Sequence, residues 1–190
     1  MRRWAGGITG ACLALCTSAA TLHADVLPAD AGPVAGDVAL GVGAGMLGAD
    51  PVYALRLAYF ALPWLGFEAT LGHNPSGSEH AVLHYANAVG RLHHQGRLRP
   101  FVTAGLGTIE VFPGIAVNAK PVTKLLLDAG AGTHLHLRDD VALRFEARSF
   151  TILDQQEGHR GAYHYLEWSC GVTFSRPLHT PEPSETGAQP

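Results

Sequence analysis

Residues 125–150 read LLLDAGAGTHLHLRDDVALRFEARSF, and they contain two runs in which apolar and polar side chains alternate. In the first run, every second residue from Leu125 to Leu137 is apolar or small, and the positions between them include Asp128, His134 and His136. After Asp139 and Asp140 the alternation resumes, with Val141, Leu143, Phe145 and Ala147 opposite Ala142, Arg144, Glu146 and Arg148. This period of two predicts a pair of antiparallel strands, each with one apolar face and one charged face.

The same period recurs along most of the chain. It predicts six further strands, at about residues 37–48, 52–61, 64–73, 80–92, 98–109 and 162–175. The register of the fourth is ambiguous, because Asn87 and Arg91 share a face with Leu83, Tyr85 and Val89. The sequence therefore predicts an all-β protein of eight antiparallel strands.

The predicted connections alternate in length. Short turns follow strands two, four and six, whereas polar or Pro-containing loops follow strands three, five and seven, at residues 74–79, 110–122 and 153–162. The connection after strand one, near GADP, is the exception because it is short. Short turns at one end and longer loops at the other are typical of an up-and-down barrel of the outer membrane.

Alternation alone does not separate a soluble sheet, whose apolar face points inward, from a membrane barrel, whose apolar face meets lipid. Three features favour the membrane barrel. The charged face also collects glycine, which weakens strands but makes room for large side chains inside a narrow barrel. These glycines are Gly41, Gly43, Gly45, Gly66, Gly72, Gly105, Gly107, Gly130, Gly132 and Gly171.

The charges within the strands are the second feature, because both signs occur in nearly equal number, as pairing in a closed lumen requires. We expect seven side chains to point inward and to form a shared ion-pair network, namely Arg56, Glu68, Asp128, Arg144, Glu146, Arg148 and Glu167. The third feature is that Lys120 and Lys124 are the only lysines, although lysine commonly protects the edge strands of open sheets. Closure into a barrel would leave no edge to protect.

The N-terminus has the layout of a secretory signal peptide: Arg2 and Arg3, then an uncharged run, then small residues. We expect the signal to occupy residues 1–24, with cleavage after Ala20 or Ala24. A linker over 25–35, a barrel over 36–175 and a polar, disordered tail over 176–190 would follow. Two of the three cysteines lie in the predicted signal, so no disulfide framework is expected in the mature chain.

The segments RPFVTAGLG, LLLDAGAGTHLHLRDDVALRFEARSF and YHYLEWSCGVTFS resemble the OmpA-like outer-membrane β-barrel domain family. The resemblance covers roughly residues 36–175. It implies an eight-stranded transmembrane barrel in a Gram-negative outer membrane, with outer-membrane lipid and the barrel-assembly machinery as partners. In that family the last strand ends in an aromatic residue that the machinery reads; here Phe174 is followed by residues 175–190, which departs from the pattern.

Motifs for other chemistry are missing from the sequence, which contains no G-x-S-x-G, H-E-x-x-H or P-loop. His134 and His136 share a strand face and His93 and His94 adjoin in a turn, but four tetrahedral metal ligands are not identifiable. Glu68, Asp128, Glu146 and Glu167 could do acid–base work, although the interspersed arginines favour ion pairing. The formal net charge is −3, and the sequence contains no basic patch of the kind that binds nucleic acid.

From the sequence we therefore expect a monomeric integral protein of the cell outer membrane, with a lumen filled by side chains and a structural or surface-interaction role. No catalytic residue, cofactor or metal is expected. Two alternatives stay open: an exported soluble lipocalin-like barrel that binds a small apolar ligand, and a barrel enzyme that modifies lipid.

Overall fold

The computed structural model describes residues 35–75, 79–92, 96–113, 120–156 and 159–178. The predicted signal peptide, nearly all of the linker and nearly all of the C-terminal tail lie outside these ranges, as do His93 and His94. Both ends of the predicted barrel, residues 36 and 175, fall within them.

The described chain forms eight strands that close into a barrel in sequence order, with β8 paired to β1 and every neighbouring pair antiparallel. This confirms the predicted fold class. The strands are β1 (Asp37–Leu47), β2 (Asp50–Phe60), β3 (Leu65–Pro75), β4 (Glu79–Arg91), β5 (Leu98–Pro113), β6 (Val122–His136), β7 (Val141–Gln156) and β8 (His159–Pro177).

The barrel has two unlike ends. At the terminal end, which holds Gly36 and Leu178, the Leu178 N–H donates to the Gly36 carbonyl at 3.1 Å. The turns after β2, β4 and β6 also lie at this end. At the opposite, distal end, β1 turns into β2 at Gly48 with φ of 62°, a conformation that glycine adopts readily.

The distal end differs from the sequence-based expectation. The predicted loop over 153–162 is strand wherever the structure describes it, because β7 continues to Gln156 and β8 begins at His159. The predicted loop over 110–122 begins later than expected, because β5 continues to Pro113. The β5 extension reads EVFP and ends at a proline, and the β7 extension reads LDQQ, so neither shows a clear alternation. A strand that rises out of the membrane needs no apolar face. Its backbone groups are satisfied by the ladder to the next strand, whatever the side chains are.

The two faces of the wall are inverted relative to a soluble protein. Leucine, valine and aromatic side chains are exposed on the outside, among them Leu40, Val42, Leu55, Leu57, Phe67, Leu106, Leu127, Trp168 and Phe174. The charged rows are buried inside. Over the described ranges, no helix is both long and apolar enough to cross a membrane.

The register of β4, which the sequence left ambiguous, is settled by its neighbours. Leu83, Tyr85, Asn87 and Val89 are buried in the interior, and His84, Ala86 and Ala88 face outward. β4 thus contributes both apolar and polar side chains to the lumen, and this mixture is the cause of its unclear pattern.

Candidate functional site

The centre of the lumen is a layer of seven charged side chains, which we call the central charge layer. The layer consists of Arg56 from β2, Glu68 from β3, Asp128 from β6, Arg144, Glu146 and Arg148 from β7, and Glu167 from β8. All seven are buried. Each lies on the strand face opposite the exposed apolar row. Because side chains alternate along a strand with a period of two, these seven point into the lumen.

Arg148 is the most enclosed member of the layer, with 1 % of its surface exposed. Its guanidinium lies 2.7 Å from Glu146 Oε1 and 3.0 Å from Asp128 Oδ1. A longer contact of 3.6 Å joins it to Glu68 Oε1. One arginine thus links carboxylates from three strands, β3, β6 and β7.

Glu146 is the carboxylate that joins the three arginines. It accepts from Arg144 Nη2 at 3.1 Å and lies 3.5 Å from Arg56 Nη2, in addition to its contact with Arg148. Arg144 also donates two hydrogen bonds to Glu68, one to each carboxylate oxygen. Arg56 reaches Glu167 at 3.6 Å. The seven side chains therefore form one connected network.

Neutral groups add further contacts to the layer. Asn87 Nδ2 donates to Asp128 Oδ1 at 2.6 Å, and Arg56 Nη2 donates to the Ser169 hydroxyl at 3.3 Å. Two guanidinium groups also lie over aromatic rings: that of Arg148 is 4.9 Å from the Tyr85 ring, and that of Arg144 is 4.6 Å from the Phe101 ring. Contacts of this kind stabilise a desolvated cation.

Apolar layers above and below the charges were not anticipated from the sequence. The distal layer contains Leu47, Val52, Leu83, Tyr85, Ile109, Leu126, Phe150 and Ile152. The terminal layer contains Ala39, Ala58, Phe60, Val89 and Phe101. The signal was visible as apolar residues on the charged side of β6 and β7, such as Leu126, Phe150 and Ile152, near the strand ends. Apolar clusters therefore lie on both sides of the charge layer along the barrel axis.

Close packing of the terminal layer depends on Gly132. A Cβ at this position would lie 2.5 Å from Cζ of the Phe101 ring and would also collide with the Phe145 carbonyl. We expect Gly132→Val to lower the free energy of unfolding by about 1–3 kcal/mol through overpacking. Gly161→Val is the matched control, because a Cβ there meets nothing within 4 Å. Equal urea midpoints for the two variants in lipid vesicles would contradict this account.

A narrow cavity of about 20 Å³ lies on the terminal side of the charge layer. Its lining includes Arg91, Arg99, His134 and His136 together with Arg144. A space of this size holds about one water molecule. His134 is buried, with its ring centroid 4.6 Å from that of Phe101. Within the described part of the chain, no three His, Cys, Asp or Glu side chains converge as a metal site would require.

The arrangement of the layer limits its chemistry. Glu68, Asp128, Glu146 and Glu167 each contact at least one arginine, so four carboxylates share three guanidinium groups in the lumen. A buried ionic group that is paired on several sides fixes the neighbouring strands relative to one another. The charge layer thus crosslinks strands β2, β3, β6, β7 and β8 through the lumen.

Comparison with solved structures shows the same architecture. The N-terminal β-barrel domain of Pseudomonas aeruginosa OprF aligns with a TM-score of 0.63 at 16 % identity, covering 75 % of this chain and 98 % of that domain. Neisserial surface protein A aligns with a TM-score of 0.58 at 15 % identity, covering 73 % and 94 %. A scan against protein-family models gives no match, and a search of curated proteins gives no significant match.

The two similar structures and the inverted wall lead to the same conclusion. At these identities the likeness concerns the fold, while the apolar exterior and the charged interior are properties of this chain itself. The chain is a closed, eight-stranded antiparallel β-barrel of the outer-membrane type, in agreement with the location that the sequence predicts.

Proposed function

We propose that this chain is an OmpA-like integral protein of a Gram-negative outer membrane, non-enzymatic and monomeric, with a structural or surface-interaction role. The observation that carries the proposal is the filled lumen, in which a connected charge layer lies between two apolar layers. An eight-stranded barrel has room for side chains but not for an aqueous channel when its interior is packed. The function then belongs to the surfaces at the two ends and not to transport.

The proposal includes an orientation. Short turns of outer-membrane barrels lie in the periplasm, and the longer segments lie outside the cell. The terminal end carries the short turns, and the distal end carries the extensions of β5 to β8. We therefore place the distal end outside the cell.

The test of the occluded lumen is electrical. We expect extraction of the protein from membranes to require detergent. The purified protein should migrate differently on gels with and without heating, and it should give no steady current in a planar lipid bilayer. The packed lumen is the physical reason, because an ion would have to pass both the buried charge layer and the apolar layers beside it. A reproducible conductance from correctly folded protein would overturn the occluded lumen, and extraction without detergent would overturn the membrane assignment.

The soluble lipocalin-like alternative requires a barrel wall with its apolar face inside and its charged face outside. Its apolar residues would line a ligand cavity and its charges would face water. Here Leu125 and Leu127 are exposed on the outside, while Arg144 and Glu146 are buried inside. Detergent-free solubility would be the finding that favours this alternative.

The lipid-modifying alternative has one observation in its favour. Thr151 Oγ1 lies 3.1 Å from His164 Nδ1 on the exposed outer side near the distal end. A hydroxyl beside an imidazole is part of a nucleophilic site, which also needs a group that orients the imidazole. Release of ester-linked acyl chains by the purified barrel would favour this alternative over the structural role.

A further inference from the structure

β8 is longer than the strand that closes the barrel against it. β1 pairs with β8 from Asp37 opposite Pro177 to Leu47 opposite Glu167, and the Gly48 N–H donates to the Leu166 carbonyl at 2.8 Å. β8 then continues to His159 while paired with β7 on its other side. Over the ranges that the structure describes, no strand pairs with the β1 side of residues 159–165. We call this segment the free edge.

The backbone groups of the free edge can be assigned by strand geometry. The N–H and C=O of one residue in an antiparallel strand point to the same side, and the side alternates along the chain. Because the Leu166 carbonyl points toward β1, the N–H and C=O groups of Ala162 and His164 point to that side as well. The free edge therefore presents donors and acceptors at the spacing of a strand.

The side chains beside the free edge are exposed and aromatic. Tyr163 and Tyr165 are 51 % and 42 % exposed, although they lie on the same strand face as the buried Glu167. The Lys124 ammonium lies 5.4 Å from the centroid of the Tyr163 ring. The sequence of residues 159–165, HRGAYHY, contains neither Pro nor Lys, two residues that commonly protect edge strands. The barrel closes as expected, but among the described residues the closure leaves this one segment of β8 without a strand on its β1 side.

We propose that the free edge of β8 binds an extended polypeptide segment of a protein outside the cell by adding it as a further strand. Such β-augmentation draws affinity from main-chain hydrogen bonds and selectivity from the side chains that flank them. The exposed rings of Tyr163 and Tyr165 provide the flanking contacts. This inference rests on the proposed function, because it requires the distal end to face outward, and it assigns the surface role to one strand.

A second copy in the same membrane does not fit the free edge as an antiparallel partner. Two such copies are related by rotation about the membrane normal, and this rotation keeps both β8 strands pointing the same way. Antiparallel pairing, the arrangement that β8 uses with β7 and β1, requires the opposite direction. A flexible extended segment from another protein can adopt either direction, and it is therefore the occupant that the geometry favours.

The test uses a peptide probe with the sequence of residues 147–156, ARSFTILDQQ. In the barrel this sequence pairs with residues 159–168 on their other edge, so it is compatible with a strand beside β8. We expect saturable binding of the fluorescent peptide to the folded full chain in phosphatidylcholine nanodiscs, measured by anisotropy. Ala162→Pro removes an N–H from the free edge and should weaken binding at least about fivefold, as the loss of one main-chain hydrogen bond does.

Two controls keep the result specific. Ala162→Val retains the N–H and should bind like the unmodified chain. Peptides N-methylated on alternate residues should lose binding for one set and retain it for the other, because only one edge of the peptide faces the barrel. Absence of binding to a barrel that inserts and shows the heat-dependent gel shift would overturn this inference and leave the proposed function standing. Equal binding by Ala162→Pro would also overturn it, whereas failure to insert into lipid would overturn both.

Discussion

Arg148→Met is expected to lower the free energy of unfolding in lipid by about 3–5 kcal/mol. Arg148 contacts Asp128 at 3.0 Å and Glu146 at 2.7 Å, in a part of the lumen shielded from water. Removal of the guanidinium leaves those carboxylates buried with less compensation, and an uncompensated buried charge is more costly than a missing apolar contact. Urea titration of the barrel in phospholipid vesicles, followed by tryptophan fluorescence, measures the difference.

The matched control for Arg148→Met is Arg176→Met, because Arg176 is exposed near the end of β8 and should change stability by less than about 0.5 kcal/mol. Adding Asp128→Asn to Arg148→Met should recover part of the loss, since it removes one of the stranded negative charges. If Arg148→Met and Arg176→Met lower the free energy of unfolding by the same amount, the central charge layer does not stabilise the barrel.

Leu55→Arg is expected to lower the free energy of unfolding in lipid by about 2–4 kcal/mol. Leu55 is the middle residue of β2, is 47 % exposed, and is paired with Val42 and Leu71 on the outer face. An arginine there would place a charge near the midplane of the hydrocarbon, where neither water nor a carboxylate is close. The same vesicle titration measures the effect.

The comparison for Leu55→Arg is Leu178→Arg, which makes the same change at a position 64 % exposed just beyond the end of β8. That variant should be close to neutral, because it lies outside the apolar band of the wall. Tolerance of arginine at both positions would indicate that the wall faces water, and the chain would then return to the soluble class.

The parity of the strands was accessible from sequence because side chains alternate across a strand with a period of two. Rows such as Leu125, Leu127 and Leu143 against Arg144 and Glu146 therefore specify opposite faces without any knowledge of partners. The number of strands followed from the recurrence of that pattern. Glycine on the charged face then favoured a narrow interior, and the structure places Gly132 against the Phe101 ring.

Strand length at the distal end was not accessible, because alternation records only where one face is apolar. A strand outside the membrane needs no apolar face, so the polar letters of residues 154–156, DQQ, do not separate strand from loop. The pattern of β4 was unclear for a related reason. Asn87 and Leu83 both point into the lumen, but Asn87 lies at the charge layer and Leu83 in the distal layer. The height of a residue within the barrel decides its environment, and height follows from register.

By itself, then, the sequence determined the all-β class, the eight strands and the set of charged residues that share one strand face, since these depend on local periodicity. Only the tertiary structure decided which charges meet, so that Glu146 joins Arg56, Arg144 and Arg148 in one network. It also decided that β8 extends past β1 and leaves the backbone of Ala162 and His164 at a free edge. The physical reason is that pairing partners and edges depend on the register between strands distant in the chain, which no local pattern encodes.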